Sequence, residues 1–148
     1  MEHIIQLEGV LSGWYTLLER RCKMEFDKRI PIYEQLKHRV KQAIVNGEYE
    51  AGAVLPSRRE MAQSYQVNPN TVQRALKELE EEALIMTGNN VPSQVTNDLH
   101  RIENLRQTMI EEALSIFFQE IAPLKVKPEQ LVQYVIQYAE SKRGDQDA

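Results

Sequence analysis

Side chains with amide, hydroxyl or cationic groups are concentrated between residues 57 and 77. They are Ser57, Arg58, Arg59, Asn68, Asn70, Thr71, Gln73, Arg74 and Lys77. Groups of these kinds contact base edges and phosphates in duplex DNA. Most of the acidic residues of this region follow later, between Glu78 and Glu82. The pattern favours a DNA-binding surface; the alternative is a helical hairpin whose polar face is simply solvated.

Two helix-start signals indicate which elements would carry these groups. Ser57 followed by Glu60 is a capping box, in which each side chain satisfies a free backbone amide. Asn68 followed by Pro69 is a second start, because proline has no N–H to leave unsatisfied at the first helical position. Apolar residues then recur at helical spacing: Met61, Ala62 and Tyr65, followed by Val72, Ala75, Leu76 and Leu79. Two short helices joined by a turn that contains Val67 predict a helix-turn-helix.

The flanking stretches predict the rest of a small domain. A helix should begin at Pro31 and end before Gly47, and residues 53–55 are long enough for a short strand. After the motif, two predicted strands at residues 84–86 and 94–96 bracket a turn. A helix, a strand, two helices and a hairpin in this order describe a winged helix.

A series of short motifs runs through this region. They are Ile30-Pro31-Ile32-Tyr33-Glu34-Gln35-Leu36, Gly47, Gly52, Leu55-Pro56-Ser57 and Arg59-Glu60. In type and order they resemble the GntR family of bacterial transcriptional regulators, densely over residues 28–96. The run Asn68-Pro69-Asn70-Thr71-Val72, together with the short tail, narrows the resemblance to the YtrA-like subfamily.

This resemblance implies roles for individual residues. Ser57 and Arg59 match family positions that touch the DNA backbone and bases, and Arg58 beside them is expected to contact a phosphate. The second helix of the motif becomes the recognition helix. It contains Asn68, Asn70, Thr71, Gln73 and Arg74.

The predicted wing departs from the family. Members usually carry a basic Gly-x-Gly tip followed by an aromatic residue, whereas Asn90, Pro92 and Gln94 occupy these positions. Residues 86–100 contain no Lys or Arg, although a minor-groove wing normally uses these residues. The usual wing contact is therefore not expected. Ala83 stands where the family prefers glycine, and a left-handed conformation there would strain it by roughly 1 kcal/mol.

The chain beyond residue 96 predicts two helices with wide apolar faces. The apolar positions assigned to an interface are Leu99, Ile102, Leu105, Met109, Ala113, Ile116, Phe117, Leu131 and Val135. Two helices alone cannot bury faces of this width, so we predict a symmetric dimer whose tails form a helical bundle. The alternative is a hairpin that folds back on its own winged helix.

The predicted fold class is therefore mainly α, in three parts. Residues 1–23 form an N-terminal extension with apolar residues at helical spacing, which is either an arm packed on the domain or on a partner chain, or an addition outside the common fold. Residues 24–96 form the winged helix-turn-helix, with three helices and a small β-hairpin wing. Residues 97–148 form the short C-terminal helical dimerisation hairpin.

Composition limits the other functional classes. The net charge of the 148 residues is −4, yet residues 28–41 and 56–77 are locally basic, which keeps a DNA-facing surface compatible with an acidic protein. One cysteine, Cys22, and three scattered histidines offer neither a disulfide nor a metal site, and no catalytic constellation is present. We therefore expect no enzyme, cofactor or metal. With no apolar run near the roughly 18 residues of a membrane span and no signal peptide, a cytoplasmic protein is expected.

The expected function is that of a transcriptional regulator, as a repressor that binds an inverted-repeat operator in double-stranded DNA as a homodimer. The resemblance adds that YtrA-like regulators often control nearby transporter operons. A small-molecule effector would bind at the junction of winged helix and tail, where no set of residues marks a site. The alternative is a protein-interaction module whose winged helix has lost DNA binding.

Overall fold

The computed structural model describes residues 26–88 and 91–144. Over these residues the chain forms five α-helices, two short strands and one 3₁₀ turn. The helices are α1 (Ile32–Val45), α2 (Arg58–Tyr65), α3 (Pro69–Glu81), α4 (Leu99–Ile121) and α5 (Pro128–Gly144), the strands are β1 (Ile85–Met86) and β2 (Gln94–Val95), and the 3₁₀ turn is Ala122–Leu124. This architecture confirms the predicted fold class, a mainly helical winged helix followed by C-terminal helices. The predicted extension at residues 1–23 lies outside the described residues.

Both predicted helix starts of the helix-turn-helix are confirmed. The Ser57 hydroxyl accepts a hydrogen bond from the Glu60 amide at 3.2 Å, and the Glu60 carboxylate accepts one from the Ser57 amide at 2.7 Å. At the start of α3, Asn68 Oδ1 accepts from the amide of Asn70 at 2.8 Å, and Pro69 is the first helical residue. These bonds satisfy amides that have no partner inside the helix. Local sequence therefore fixes where α2 and α3 begin.

Two left-handed residues end the long helices of the winged helix. Gly47 follows α1 with a φ of +83°, a conformation that glycine adopts without steric cost. Ala83 follows α3 with a φ of +56°, so the left-handed backbone that was expected there is present on a residue with a Cβ. The chain thus accepts local strain where it turns from the recognition helix into the wing.

The wing is a two-stranded antiparallel sheet in which Ile85 pairs with Val95 and Met86 with Gln94. The strand predicted at residues 53–55 is wrong as a regular strand, because only one isolated bridge joins Val54 to Gln94. Three backbone hydrogen bonds of 2.8–3.1 Å nevertheless tie residues 52–55 to the outer edge of β2. Pro56, which has no N–H, and the Ser57 helix cap follow at once, so the extended segment has no room to lengthen.

A single apolar core joins these elements. Helix α3 packs against both α1 and α2, and its apolar side lies in the centre of the core. The buried residues are Leu36, Val40, Ile44, Leu55, Met61, Ala62, Val72, Ala75, Leu76, Leu79, Leu84, Ile85, Val95 and Ile102. Tyr65 and Val67 pack at its edge, as expected for residues that close the turn between α2 and α3. Every apolar position predicted for α3 is buried, which leaves its polar side for solvent.

The first part of α4 belongs to the winged helix and not to a separate tail. The chain divides into two compact units, and the one that contains the winged helix extends to Leu114, well past the predicted boundary at Thr96. Ile102 is buried in the core, and Leu105 packs against it. A terminal nitrogen of Arg106 donates to the carbonyl oxygen of Val45 at 2.5 Å, where a cation interacts favourably with the C-terminal end of α1.

The described residues of the other unit are 115–144. They include the end of α4, the 3₁₀ turn and α5. Many of their large apolar side chains are exposed to solvent, and Ala139 is buried. Across residues 26–88 and 91–144, every helix is too short or too polar to traverse a bilayer.

Candidate nucleic-acid interface

The N-terminal half of α3 presents polar side chains on the side opposite the core. Asn70, Gln73, Arg74 and Lys77 are exposed, and Thr71 is half-buried. Because Val72, Ala75, Leu76 and Leu79 on the other side are buried, the helix cannot rotate without exposing its apolar face. The fold thus holds the polar side of α3 outward.

Helix α2 adds a second group of DNA-contact candidates. Ser57, Arg58 and Arg59 are all exposed at its start. Neither arginine forms an ion pair with any other residue that the structure describes. Their charges are therefore not neutralised by a protein carboxylate among those residues.

The two cap residues keep some hydrogen-bonding capacity for a ligand. The Oδ1 atom of Asn68 is taken by the amide of Asn70, so the free part of this exposed side chain is its NH₂ group. The Ser57 hydroxyl accepts from Glu60, and its proton stays available for donation, for example to a phosphate oxygen. The hydrogen bonds from Ser57 hold the pKa of the Glu60 carboxyl below its usual value, so this cap is fully charged at neutral pH.

The acidic end of α3 is not a solvated helix end. Lys37 Nζ lies 2.7 Å from Glu78 Oε2 and 3.5 Å from Glu82 Oε1, and Lys41 Nζ lies 2.5 Å from Glu82 Oε2. These pairs form a seam between α1 and α3. The hydrogen bond to Glu78 raises the pKa of Lys37, and the same bond lowers the pKa of Glu78, so both groups are charged over a wide pH range.

This seam changes the interpretation of the basic stretch at residues 28–41. Counting charges along the sequence suggested that these cations could face DNA. In the structure Lys37 and Lys41 are paired with α3, and Arg39 Nη2 lies 2.8 Å from Glu48 Oε2. The cations best placed for an external anion are instead those of α2 and of the N-terminal half of α3.

Arg74 is held by residues that the sequence analysis did not single out. Its guanidinium carbon lies 3.6 Å from the centre of the Tyr33 ring, and its Nε lies 3.6 Å from Glu78 Oε1. A shallow depression of about 330 Å³ opens beside it, lined by Ile32, Tyr33, Asn70, Thr71 and Arg74. The Glu78 contact is an i,i+4 pair and is visible in the sequence. The Tyr33 contact joins positions far apart in the chain, so no local pattern reveals it.

The wing contributes little positive charge. Its described residues, 85–88 and 91–95, contain no Lys or Arg, and the tip positions 89 and 90 lie outside the described part. The hydroxyls of Thr87 and Ser93 lie 3.0 Å apart and link the two strands, and the amide of Thr87 donates to Glu80 Oε1 at 3.3 Å. The described wing is thus tied to the acidic end of α3.

The residues assigned to a dimer interface fall into two groups. Ile102 is buried in the winged-helix core and Leu105 packs against it, so these two serve the chain's own fold. The others are exposed or half-buried on α4 and α5: Leu99, Met109, Ala113, Ile116, Phe117, Leu131 and Val135. Only this second group offers apolar surface to another molecule.

Comparison with known proteins gives the family. Residues 32–95 match the model of bacterial regulatory proteins of the gntR family. The HTH-type transcriptional repressor YtrA of Bacillus subtilis is 34% identical over 94 residues, which cover 64% of this chain and 68% of that protein. The chain belongs to the GntR family. As a GntR-family transcriptional regulator it has the fold, the recognition helix and the relatives that its motifs predicted.

Other relatives extend the similarity beyond the winged helix. The HTH-type regulator YhcF of Bacillus subtilis is 28% identical over 116 residues, or 78% of this chain and 96% of that protein. A solved GntR-family regulator from Listeria monocytogenes is 38% identical with a TM-score of 0.73 and covers 76% of this chain and 98% of its own. A regulator from Oenococcus oeni is 31% identical with a TM-score of 0.64, covering 79% and 98%. These GntR-family relatives are transcription regulators, not enzymes.

Proposed function

We propose that this GntR-family regulator is a repressor that binds an inverted-repeat operator as a homodimer. The observation that carries the proposal is the division of charge along α3. Its N-terminal half exposes amide, hydroxyl and cationic groups, while Glu78 and Glu82 at the other end are tied to lysines of α1. A helix of this polarity can enter a major groove by its N-terminal half without acidic residues approaching the phosphates.

Within this proposal, each group of polar residues has a role. Ser57, Arg58 and Arg59 contact the DNA backbone and adjacent bases from the start of α2. The recognition helix supplies the contacts to base edges through Asn68, Asn70, Thr71, Gln73 and Arg74, and Lys77 contacts a phosphate. Amides and arginine suit adenine and guanine edges respectively, because each pairs two donors or acceptors with the base.

The homodimer is supported by the exposed apolar surface of residues 115–144. Ile116, Phe118, Val132 and Tyr138 are each more than half exposed. A contiguous apolar surface of this kind marks an interaction site in a folded protein. A second copy of the same chain offers a matching surface, and twofold symmetry would place two recognition helices about 34 Å apart, one turn of DNA.

The regulated genes follow from the relatives only as a proposal. The similar Bacillus subtilis protein YtrA is named a repressor, which supports repression as the mode of action. Control of a neighbouring transporter operon, and relief by a small-molecule effector, are the corresponding biological roles. No described pocket singles out an effector.

The test uses duplexes recovered from a random-sequence library by the full-length protein. Arg59→Ala should lower affinity for the selected duplex by roughly tenfold to a hundredfold, because an arginine that contacts a base or a phosphate is lost. Arg101→Ala is the matched control, since Arg101 is an exposed cation on α4 and its loss should leave affinity within about twofold. Affinity should also fall steeply with salt.

Two results would count against the proposal. If no sequence is enriched and no duplex is bound at low salt, the winged helix is an interaction module. If Arg59→Ala binds as tightly as Arg101→Ala, the DNA surface lies elsewhere.

A further inference from the structure

We propose that Tyr33 and Glu78 position the Arg74 guanidinium so that Arg74 reads one guanine in each operator half-site. This inference rests on the proposed DNA-binding function. It concerns a contact between α1 and α3 that the family motif does not display, since Tyr33 and Arg74 belong to separate helices.

Tyr33 provides a fixed platform. Its side chain is half-buried and packs against the hydrophobic core, and its hydroxyl donates to Glu34 Oε1 at 3.0 Å. The Arg74 guanidinium carbon lies 3.6 Å from the ring centre. At this distance a planar guanidinium stacks on an aromatic face. The ring therefore fixes the plane of the guanidinium.

Glu78 fixes the direction of the same group. Its Oε1 lies 3.6 Å from Arg74 Nε, and its Oε2 is held by Lys37 Nζ at 2.7 Å. Because Lys37 is on α1, the carboxylate is anchored from outside its own helix. An anchored carboxylate on the Nε side turns the far end of the guanidinium away from the acidic end of α3.

The terminal nitrogens of Arg74 remain for a ligand. The side chain is 61% exposed. In the part of the chain that the structure describes, no protein acceptor lies within hydrogen-bond distance of Nη1 or Nη2. Two N–H donors at a fixed spacing match the O6 and N7 acceptors of guanine in the major groove. The depression beside Arg74 leaves space for an approaching base edge.

A phosphate would accept the same two donors, so position decides between the two. Asn70 and Gln73 lie next to Arg74 on the exposed side of α3. A residue among amides on the side of a recognition helix faces base edges, whereas phosphates are met at the margins of the groove. The arrangement therefore favours a base contact, and holding the guanidinium in advance reduces the ordering that binding requires.

The test compares the base preferences of full-length variants on a random-sequence duplex library. The wild-type motif should contain one guanine whose enrichment disappears in Arg74→Lys, because lysine lacks the paired donors. Tyr33→Leu should reduce discrimination at the same position by roughly threefold to thirtyfold, the range of a cation–π contact, with the other positions unchanged. Tyr33→Phe keeps the ring and should retain the wild-type motif.

Glu78→Gln tests the other support. It should weaken the preference for the same guanine, and Glu81→Gln is its control. Glu81 is an exposed residue of the same helix whose Oε1 lies 3.9 Å from Lys77 Nζ, so its substitution changes the helix charge equally without touching Arg74.

Several outcomes would overturn the inference. An unchanged motif in Arg74→Lys would mean that Arg74 reads no base. A uniform loss of affinity over all duplexes in Tyr33→Phe would mean that the Tyr33 hydroxyl contacts a phosphate. Equal effects of Glu78→Gln and Glu81→Gln would mean that helix charge, and not position, is responsible. A wild-type protein that enriches no motif would overturn the proposed function as well, which separates that failure from the others.

Discussion

The two halves of helix α4 have similar apolar spacing but different surroundings. In the first half, Ile102 is buried in the winged-helix core and Arg106 bonds to the end of α1. In the second half, Ile116 and Phe118 are exposed, as are Val132 and Val135 on α5. The difference shows that the winged-helix unit, up to Leu114, buries its apolar residues within itself. The tail, residues 115–144, has apolar surface left for another molecule.

Truncation gives the largest effect and tests where the first region ends. A chain that ends at Thr96 loses Ile102, Leu105 and the Arg106 hydrogen bond, whereas a chain that ends at Leu114 keeps them. Removal of a buried isoleucine alone costs about 2–5 kcal/mol. We therefore expect the shorter chain to be less stable by at least about 2 kcal/mol in urea unfolding. Equal stability would mean that α4 is not part of the winged-helix unit.

A charge in the tail should separate association from folding. Val135→Glu places a carboxylate on α5 at a side chain that is 44% exposed. Desolvating an unpaired charge in an interface costs several kcal/mol, so dimer dissociation should become at least tenfold easier. Sedimentation equilibrium measures this change.

The control for this substitution is Glu129→Gln, on an exposed residue at the start of α5. It should leave the dimer unaffected. A Val135→Glu protein that dimerises as tightly as wild type would place the interface elsewhere.

Replacing Ala83 should strengthen the winged-helix unit alone. This exposed residue adopts a φ of +56°, which costs an L-residue with a Cβ roughly 1 kcal/mol. Ala83→Gly removes the clash and should stabilise the protein by about 0.5–1 kcal/mol in chemical unfolding, with unchanged dimerisation. A destabilised Ala83→Gly protein would show that the entropy of glycine outweighs the relief of strain.

Acid should weaken the seam between α1 and α3, and this effect is expected to be the smallest. Lys37 lowers the pKa of Glu78 in the folded protein. The pair therefore stabilises the fold above the unfolded-state pKa of about 4.3, and the stabilisation is lost as the pH falls through the lower folded-state pKa. Glu78→Gln should lower Tm at neutral pH and lose its effect in strong acid.

Thermal unfolding over a pH series measures this change. Glu81→Gln, which removes the longer and more exposed pair with Lys77, should change Tm less at every pH. A difference between wild type and Glu78→Gln that stays constant down to strong acid would show that the pair has no charge-dependent role.

The elements of the winged helix could be predicted because their signals are local. Ser57 with Glu60, and Asn68 with Pro69, mark helix starts by bonds within three residues. The buried side of α3 follows from helical spacing. The short strand at residues 53–55 was overpredicted, because its length depends on pairing with β2 and not on its own residues.

The candidate site was predictable in membership but not in arrangement. The polar residues of α2 and α3 are exposed as expected. The lysines of α1 seemed equally suited to DNA until their pairing with Glu78 and Glu82 was seen. Ion pairs between helices depend on packing angles that no single segment encodes.

The sequence by itself determined the family, the helix boundaries and the chemical character of the recognition helix. These follow from residue types and from contacts within one turn of helix. Only the tertiary structure decided that Tyr33 holds Arg74, that α1 neutralises the acidic end of α3, and that Ile102 belongs to the core. Each of these joins positions distant in the chain, and their distance in space is fixed only when the apolar faces have packed.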